Sequence, residues 1–184
     1  MVSASDTSSL TTTAWIQAGA TVILVVVTIY YAIQTHKLAG QADKERRRAL
    51  SLQAGYRALD ALREPSLQQT EPSEIEVSVC RDLHRTLHGE AALITDGDEI
   101  VERLRACANA AFECANGGTR MKIQRDGEEV DAVVVSGVRK LLLRQIVQET
   151  RYSLEDYLAE RPLRAWNDLP RSTGAQAWIV DRAK

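Results

Sequence analysis

Residues Ala14–Ile33 read AWIQAGATVILVVVTIYYAI and contain no charged side chain. At 1.5 Å per residue a helix of this length covers about 30 Å, the thickness of a hydrocarbon core. Backbone amides in lipid are satisfied only internally, so an unbroken apolar run of this length predicts one helix across a bilayer. Trp15 stands at one end and Tyr30 and Tyr31 at the other, where amphipathic rings settle at the headgroup level. Gln17 falls in the first turn, and Thr21 and Thr28 can return their hydroxyls to preceding carbonyls.

The flanks set an expected orientation. Asp6 is the one charge before the run, in the leader MVSASDTSSLTTT, whereas Lys37, Lys44, Arg46, Arg47 and Arg48 follow it, offset by Asp43 and Glu45. Basic flanks stay on the cytoplasmic side, which predicts residues 1–13 outside and everything after His36 inside. The same five basic residues suit anionic lipid headgroups. A cleaved secretory signal would place its positive charges first and end in small residues, and Leu38-Ala39-Gly40 is a poor cleavage site. A buried core helix fits less well, because Val22, Ile23, Val25, Val26, Val27 and Ile29 make the run apolar all round in a chain too short to surround it.

The 184 residues bound the rest. With leader and span removed, one modest domain remains. The net charge is −2 and the basic flank is locally positive, so the region beyond Ala49 is mildly acidic and lacks the basic face of a nucleic-acid-binding protein. Three cysteines on the cytoplasmic side argue against a disulfide framework. Few aromatic residues and four prolines leave a helix-forming composition. The predicted class is therefore all-α: a transmembrane helix followed by a cytoplasmic bundle of about three to four helices. The predicted boundaries are an unstructured leader over 1–13, a span over 14–35, a juxtamembrane basic helix over 36–64, and a helical domain over 65–184 with an irregular C-terminal tail.

Helix start is expected near Thr12 or Thr13, with a bend at Gly40. Leu52, Tyr56, Leu59 and Leu62 form an apolar stripe, and Pro65 ends that helix. Ser73 with Glu76 resembles a capping box, and Ile75, Val79, Leu83 and Leu87 form a ladder, so a helix is expected over 73–88 rather than the strand that Ile75, Val77 and Val79 suggest. Asp96-Gly97-Asp98-Glu99 lacks the ligand spacing of a calcium loop and reads as a helix start with Asp96 as cap. Ile100, Leu104, Cys107, Ala111 and Cys114 then follow one face as far as Gly117-Gly118. Asp126-Gly127 is a turn pair, and a hairpin joining Met121–Ile123 to Val130 ranks behind one helix over 128–160 whose stripe shifts near Gly137 or Ser153. Trp166, Trp178, Ile179 and Val180 are expected to fold back on the bundle.

One constellation suggests chemistry. Cys80, His84 and His88 recur every fourth residue, and Cys107 on the next helix could supply a thiolate to zinc. Residues eight apart on a helix are separated by about 12 Å, so the three cannot hold one ion, and the cysteines fit better as small hydrophobes. No hydrolase elbow, zincin pair, phosphate loop or C-x-x-C pair occurs. The sequence therefore predicts no enzyme, no catalytic residue and no cofactor. Within the span Ala14, Ala18 and Gly19 offer a small-residue patch for self-association.

The segment WIQAGATVILVVVTIYYAIQT, followed by K-x-x-x-x-x-x-K-E-R-R-R, resembles uncharacterised bacterial single-span inner-membrane proteins with a small cytoplasmic helical domain. The resemblance covers Trp15 to Arg48 and is architectural beyond it. It implies a bacterial inner-membrane location, and some such proteins are suspected in phage defence. The expected function is a non-enzymatic adaptor, scaffold or sensor partner, with the lipid bilayer, a protein partner or a second copy as its contacts. The alternative is a membrane-perturbing or phage-defence effector acting through oligomerisation of its span.

Overall fold

The computed structural model describes residues 4–68, 75–125, 128–135, 137–166 and 169–182. It divides into two compact units, Met1–Arg46 and Arg47–Lys184. Among the described residues there are six helices and a three-stranded antiparallel sheet, so the all-α expectation is corrected to a mostly helical chain with a small sheet.

The described part of the first unit is helix. α1 runs Ala4–Leu62, through Gly40 and on into the second unit. The leader expected to lack structure is helical from Ala4, ahead of the predicted start at Thr12 or Thr13. Once a helix is nucleated, each further residue costs only the propagation step, so a Ser/Thr-rich flank can extend it. Thr21 Oγ1 donates to the Gln17 carbonyl at 2.9 Å and Thr28 Oγ1 to that of Leu24 at 2.7 Å, so both hydroxyls are satisfied within the helix.

In the second unit the end of α1 supplies one wall of the core. Its buried positions are Ser51, Ala54, Gly55, Ala58, Leu59 and Leu62, whereas Tyr56 is 56% exposed. The stripe runs through small residues that an apolar count passes over. Leu154 and Leu158 crowd against Gly55, which explains why that face is lined by Ala and Gly. Pro65 opens the short helix α2, Pro65–Gln68. Ser73, the proposed cap, lies outside the described residues.

β1 is Ile75–Glu76, and α3, Val77–Ala91, buries Val77, Cys80, Leu83, Leu87 and Ala91. The helix expected over 73–88 thus begins later, because Ile75 and Glu76 pair with Val135 and Val134. α4, Asp98–Asn116, has Gly97 rather than Asp96 at its N-cap, with φ 146°, and Gly117 at its C-cap. It lies at the centre of the unit: Ile100, Leu104, Cys107, Ala111 and Cys114 are all buried, as their spacing requires.

The main correction falls on residues 119–135. β2, Thr119–Arg125, pairs with β3, Glu128–Val135, so Ile123 stands across from Val130, and the sheet order is β1-β3-β2. Val133, Val134 and Val135 form a β-branched run that favours strand over helix. The long helix expected over 128–160 is therefore β3 followed by α5, Gly137–Leu158. Gly137, with φ 62°, makes the junction, and this junction is the origin of the stripe shift. The tail is not wholly irregular, since α6, Ala175–Arg182, buries Ala175 and Ile179 against the rest of the unit.

Candidate functional site

Two groups of residues stand out from the sequence, and the structure adds a third. The first is the apolar face of α1. Trp15, Tyr30 and Tyr31 are exposed, as are the side chains described from Val22 to Ile29, and no part of the apolar window is buried. The helix is long and apolar enough to cross a membrane. Tyr30 and Tyr31 meet edge to face with ring centroids 6.1 Å apart. Lys37, Lys44, Arg46, Arg47 and Arg48 are exposed, and Arg48 also donates to the Glu160 carboxylate.

The second group is the thiols and imidazoles of α3 and α4. Cys80, Cys107 and Cys114 are free and buried. Burial pushes the Cys80 and Cys107 thiols up to about 12 and drives Cys114 upward as well. A zinc site needs thiolates, which this apolar environment opposes. His84 lies at the margin of the core, where its Nδ1–H donates to the Ala108 carbonyl at 3.0 Å, and its ring stacks on His88 and tilts against Phe112. Cys80 faces the core while His88 faces solvent. Among the described residues no three His, Cys, Asp or Glu side chains gather as one metal ion requires.

The third feature was not read from sequence. Arg103 on α4 is 2% exposed. Its Nη1 donates to Ser153 Oγ at 2.5 Å, its Nη2 to the Glu99 carboxylate and to the Arg164 carbonyl at 2.7 Å, and its guanidinium lies 4.9 Å from the Trp166 ring centroid. One cation thus joins α4, α5 and the segment after α5. A signal was present: Arg103 lies three residues after Ile100 and four before Cys107, on the buried stripe of its helix.

Beside it Arg164 holds Asp156 through Nε and Nη2, at 2.7 and 3.3 Å, and this hydrogen-bonded pair lowers the Asp156 pKa. Glu102 accepts from the Ser172 hydroxyl and backbone N–H, both at 2.7 Å, and the hydroxyl is the larger cause of its lowered pKa. Glu99, Glu102, Arg103, Trp166, Leu169, Pro170 and Arg171 surround an open recess of about 360 Å³. Its carboxylates are engaged with Arg103 and Ser172, so these polar groups fasten the C-terminal segment to α4.

These features define a chain with a long, lipid-compatible helix and a compact, mostly helical domain. No family model, curated protein or solved structure matches it.

Proposed function

We propose that this is a non-enzymatic, membrane-anchored adaptor or scaffold, with α1 spanning a bacterial inner membrane and the unit from Arg47 onward cytoplasmic. The carrying observation is the uncharged, unburied segment of α1, which exposes Trp15 at one end and Tyr30 and Tyr31 at the other. Exposed apolar surface of that extent is costly in water and stable in lipid. The adaptor role is supported by Arg103, Arg164 and Glu102, whose polar contacts pack the fold together. The basic residues Lys37, Lys44, Arg46, Arg47 and Arg48 favour the cytoplasmic leaflet.

Protease treatment of spheroplasts tests this reading. A tag after residue 184 should survive until the membrane is permeabilised, while a tag before residue 1 should be removed from intact spheroplasts. A C-terminal tag digested from outside would overturn it. If residues 14–48 alone collapse the membrane potential as strongly as the full chain, the effector reading replaces the adaptor.

A further inference from the structure

Among the described residues, the β2–β3 hairpin leaves the outer side of β2 without a neighbouring strand. β2 lies at the sheet edge and pairs on one side with β3. Thr119, Arg120, Met121 and Lys122 are all exposed. An edge strand offers its outward N–H and C=O groups to any extended chain of suitable register.

The two faces of this edge differ in chemistry. On one face Met121 stands across from Ala132, and Val130 follows; Met121 and Val130 are about 40% exposed. On the other face Arg120 stands across from Val133 and Lys122 across from Asp131, and Lys122 also meets Glu129 at 3.3 Å. Passing outward across that face, Glu129 and Asp131 on β3, with Val133 beyond them, are followed by Lys122 and Arg120 on β2. The next column outward is favoured when acidic, because opposite charges on neighbouring strands attract and like charges repel. The opposite face continues best with apolar side chains.

We propose that the outer edge of β2 receives an extended segment of a partner protein in which acidic and apolar residues alternate, added as a further strand of the sheet. A second copy of this chain is a poor occupant, since pairing β2 with β2 brings the basic residues of one copy beside those of the other. An anionic surface is also a poor occupant, because the two strands carry three basic and three acidic residues by sequence. The inference rests on the adaptor reading, to which it supplies the partner's chemistry.

The test uses the full chain in detergent micelles and a fluorescent seven-residue peptide of alternating Glu and Val, matched to the length of β2. The control peptide carries Lys in place of Glu, and binding is read by anisotropy at low salt. The acidic peptide should bind about ten-fold more tightly than the basic one, and the preference should vanish in the Arg120→Glu, Lys122→Glu double variant. The single variant Arg120→Gln should weaken it partway. Equal binding of the two peptides, binding of neither, or a preference that survives the double variant would overturn the proposal. So would acidic-peptide binding that weakens as the protein concentration rises, since a second copy would then hold the edge. Because micelles stand in for the membrane, loss of anchoring in cells with intact peptide binding removes the location alone. Intact anchoring without peptide binding removes the docking edge alone.

Discussion

The guanidinium of Arg103 lies 4.9 Å from the ring centroid of Trp166, which places a buried cation against an aromatic face sixty-odd residues later in the chain. The contact is one of several that Arg103 makes, and they converge from α5 and the following segment. Removing the side chain leaves the Arg164 carbonyl and the Ser153 hydroxyl to find new partners. Glu99 is largely exposed and recovers by hydration, so the loss is smaller than for a fully buried ion pair. Arg103→Ala is expected to destabilise the domain by about 2–3 kcal/mol, measured by urea unfolding followed through tryptophan fluorescence.

Glu160 occupies a left-handed conformation, φ 53°, at the end of α5. Its N–H donates to the Tyr157 carbonyl and that of Arg161 to Asp156, the bonding of a helix stop usually made by glycine. Its ion pair with Arg48 joins two side chains that are each about two-thirds exposed, so the pair contributes little. Relief of backbone strain should outweigh its loss. Glu160→Gly is expected to raise stability by about 0.5–1 kcal/mol, and a fall in melting temperature would contradict this balance.

Gly118 is the opposite case. A Cβ built there would collide with Val77 Cγ2 and meet Val133 Cγ1 at 2.9 Å, where α3 and β3 close on the end of α4. Branched side chains packed from two elements cannot both swing away. Gly118→Ala should cost about 1–3 kcal/mol by thermal unfolding, and Val77→Ala in the same chain should restore part of that loss.

Acid should weaken the domain through Glu102 and Asp156. Both carboxyls are held below their ordinary values, Glu102 by Ser172 and Asp156 by Arg164. Each therefore contributes stability fully above its unfolded pKa, near 4 to 4.5, and that contribution is lost as pH falls through the folded value. Ser172→Ala should flatten the decline below about pH 4.5 in an acid titration of the unfolding midpoint. An unchanged slope would remove Glu102 from the account.

Cys80, Cys107 and Cys114 should resist alkylation in the folded chain. Their pKa values are raised by burial, which suppresses the reactive thiolate, and their sulfur atoms are enclosed. Iodoacetamide at pH 8 should label all three only after denaturation. Rapid labelling in the native state would show that the α3–α4 seam opens.

The elements legible in the sequence were those where one period repeats over several turns. α4 is the clearest, because Ile100 through Cys114 keep one face and Gly117 closes the helix. α1 was legible from composition in its apolar part, while its later core face was misplaced. Leu52 and Tyr56 dominate the apolar pattern there, although it is Gly55, between the buried Ala54 and Ala58, that lets Leu154 and Leu158 approach. The hairpin is less legible for a different reason. Thr119, Met121 and Ile123 alternate with Arg120, Lys122 and Gln124, a period of two over one short strand. Val130, Val134 and Val138 meanwhile mimic a helical ladder across the β3–α5 junction. Val138 is nonetheless exposed, so the mimicry is only in spacing. The Arg103 contacts depend on residues far apart in the chain, and local pattern carries no information about which distant carbonyl a buried guanidinium will meet.

The central claim is that lipid surrounds the valine-rich part of α1. Alkaline carbonate washing of membranes from cells expressing the full chain tests it most directly, because the wash strips peripheral proteins and leaves spanning ones in place. The chain should remain in the pellet and enter the supernatant only with detergent. Release into the carbonate supernatant would contradict the account.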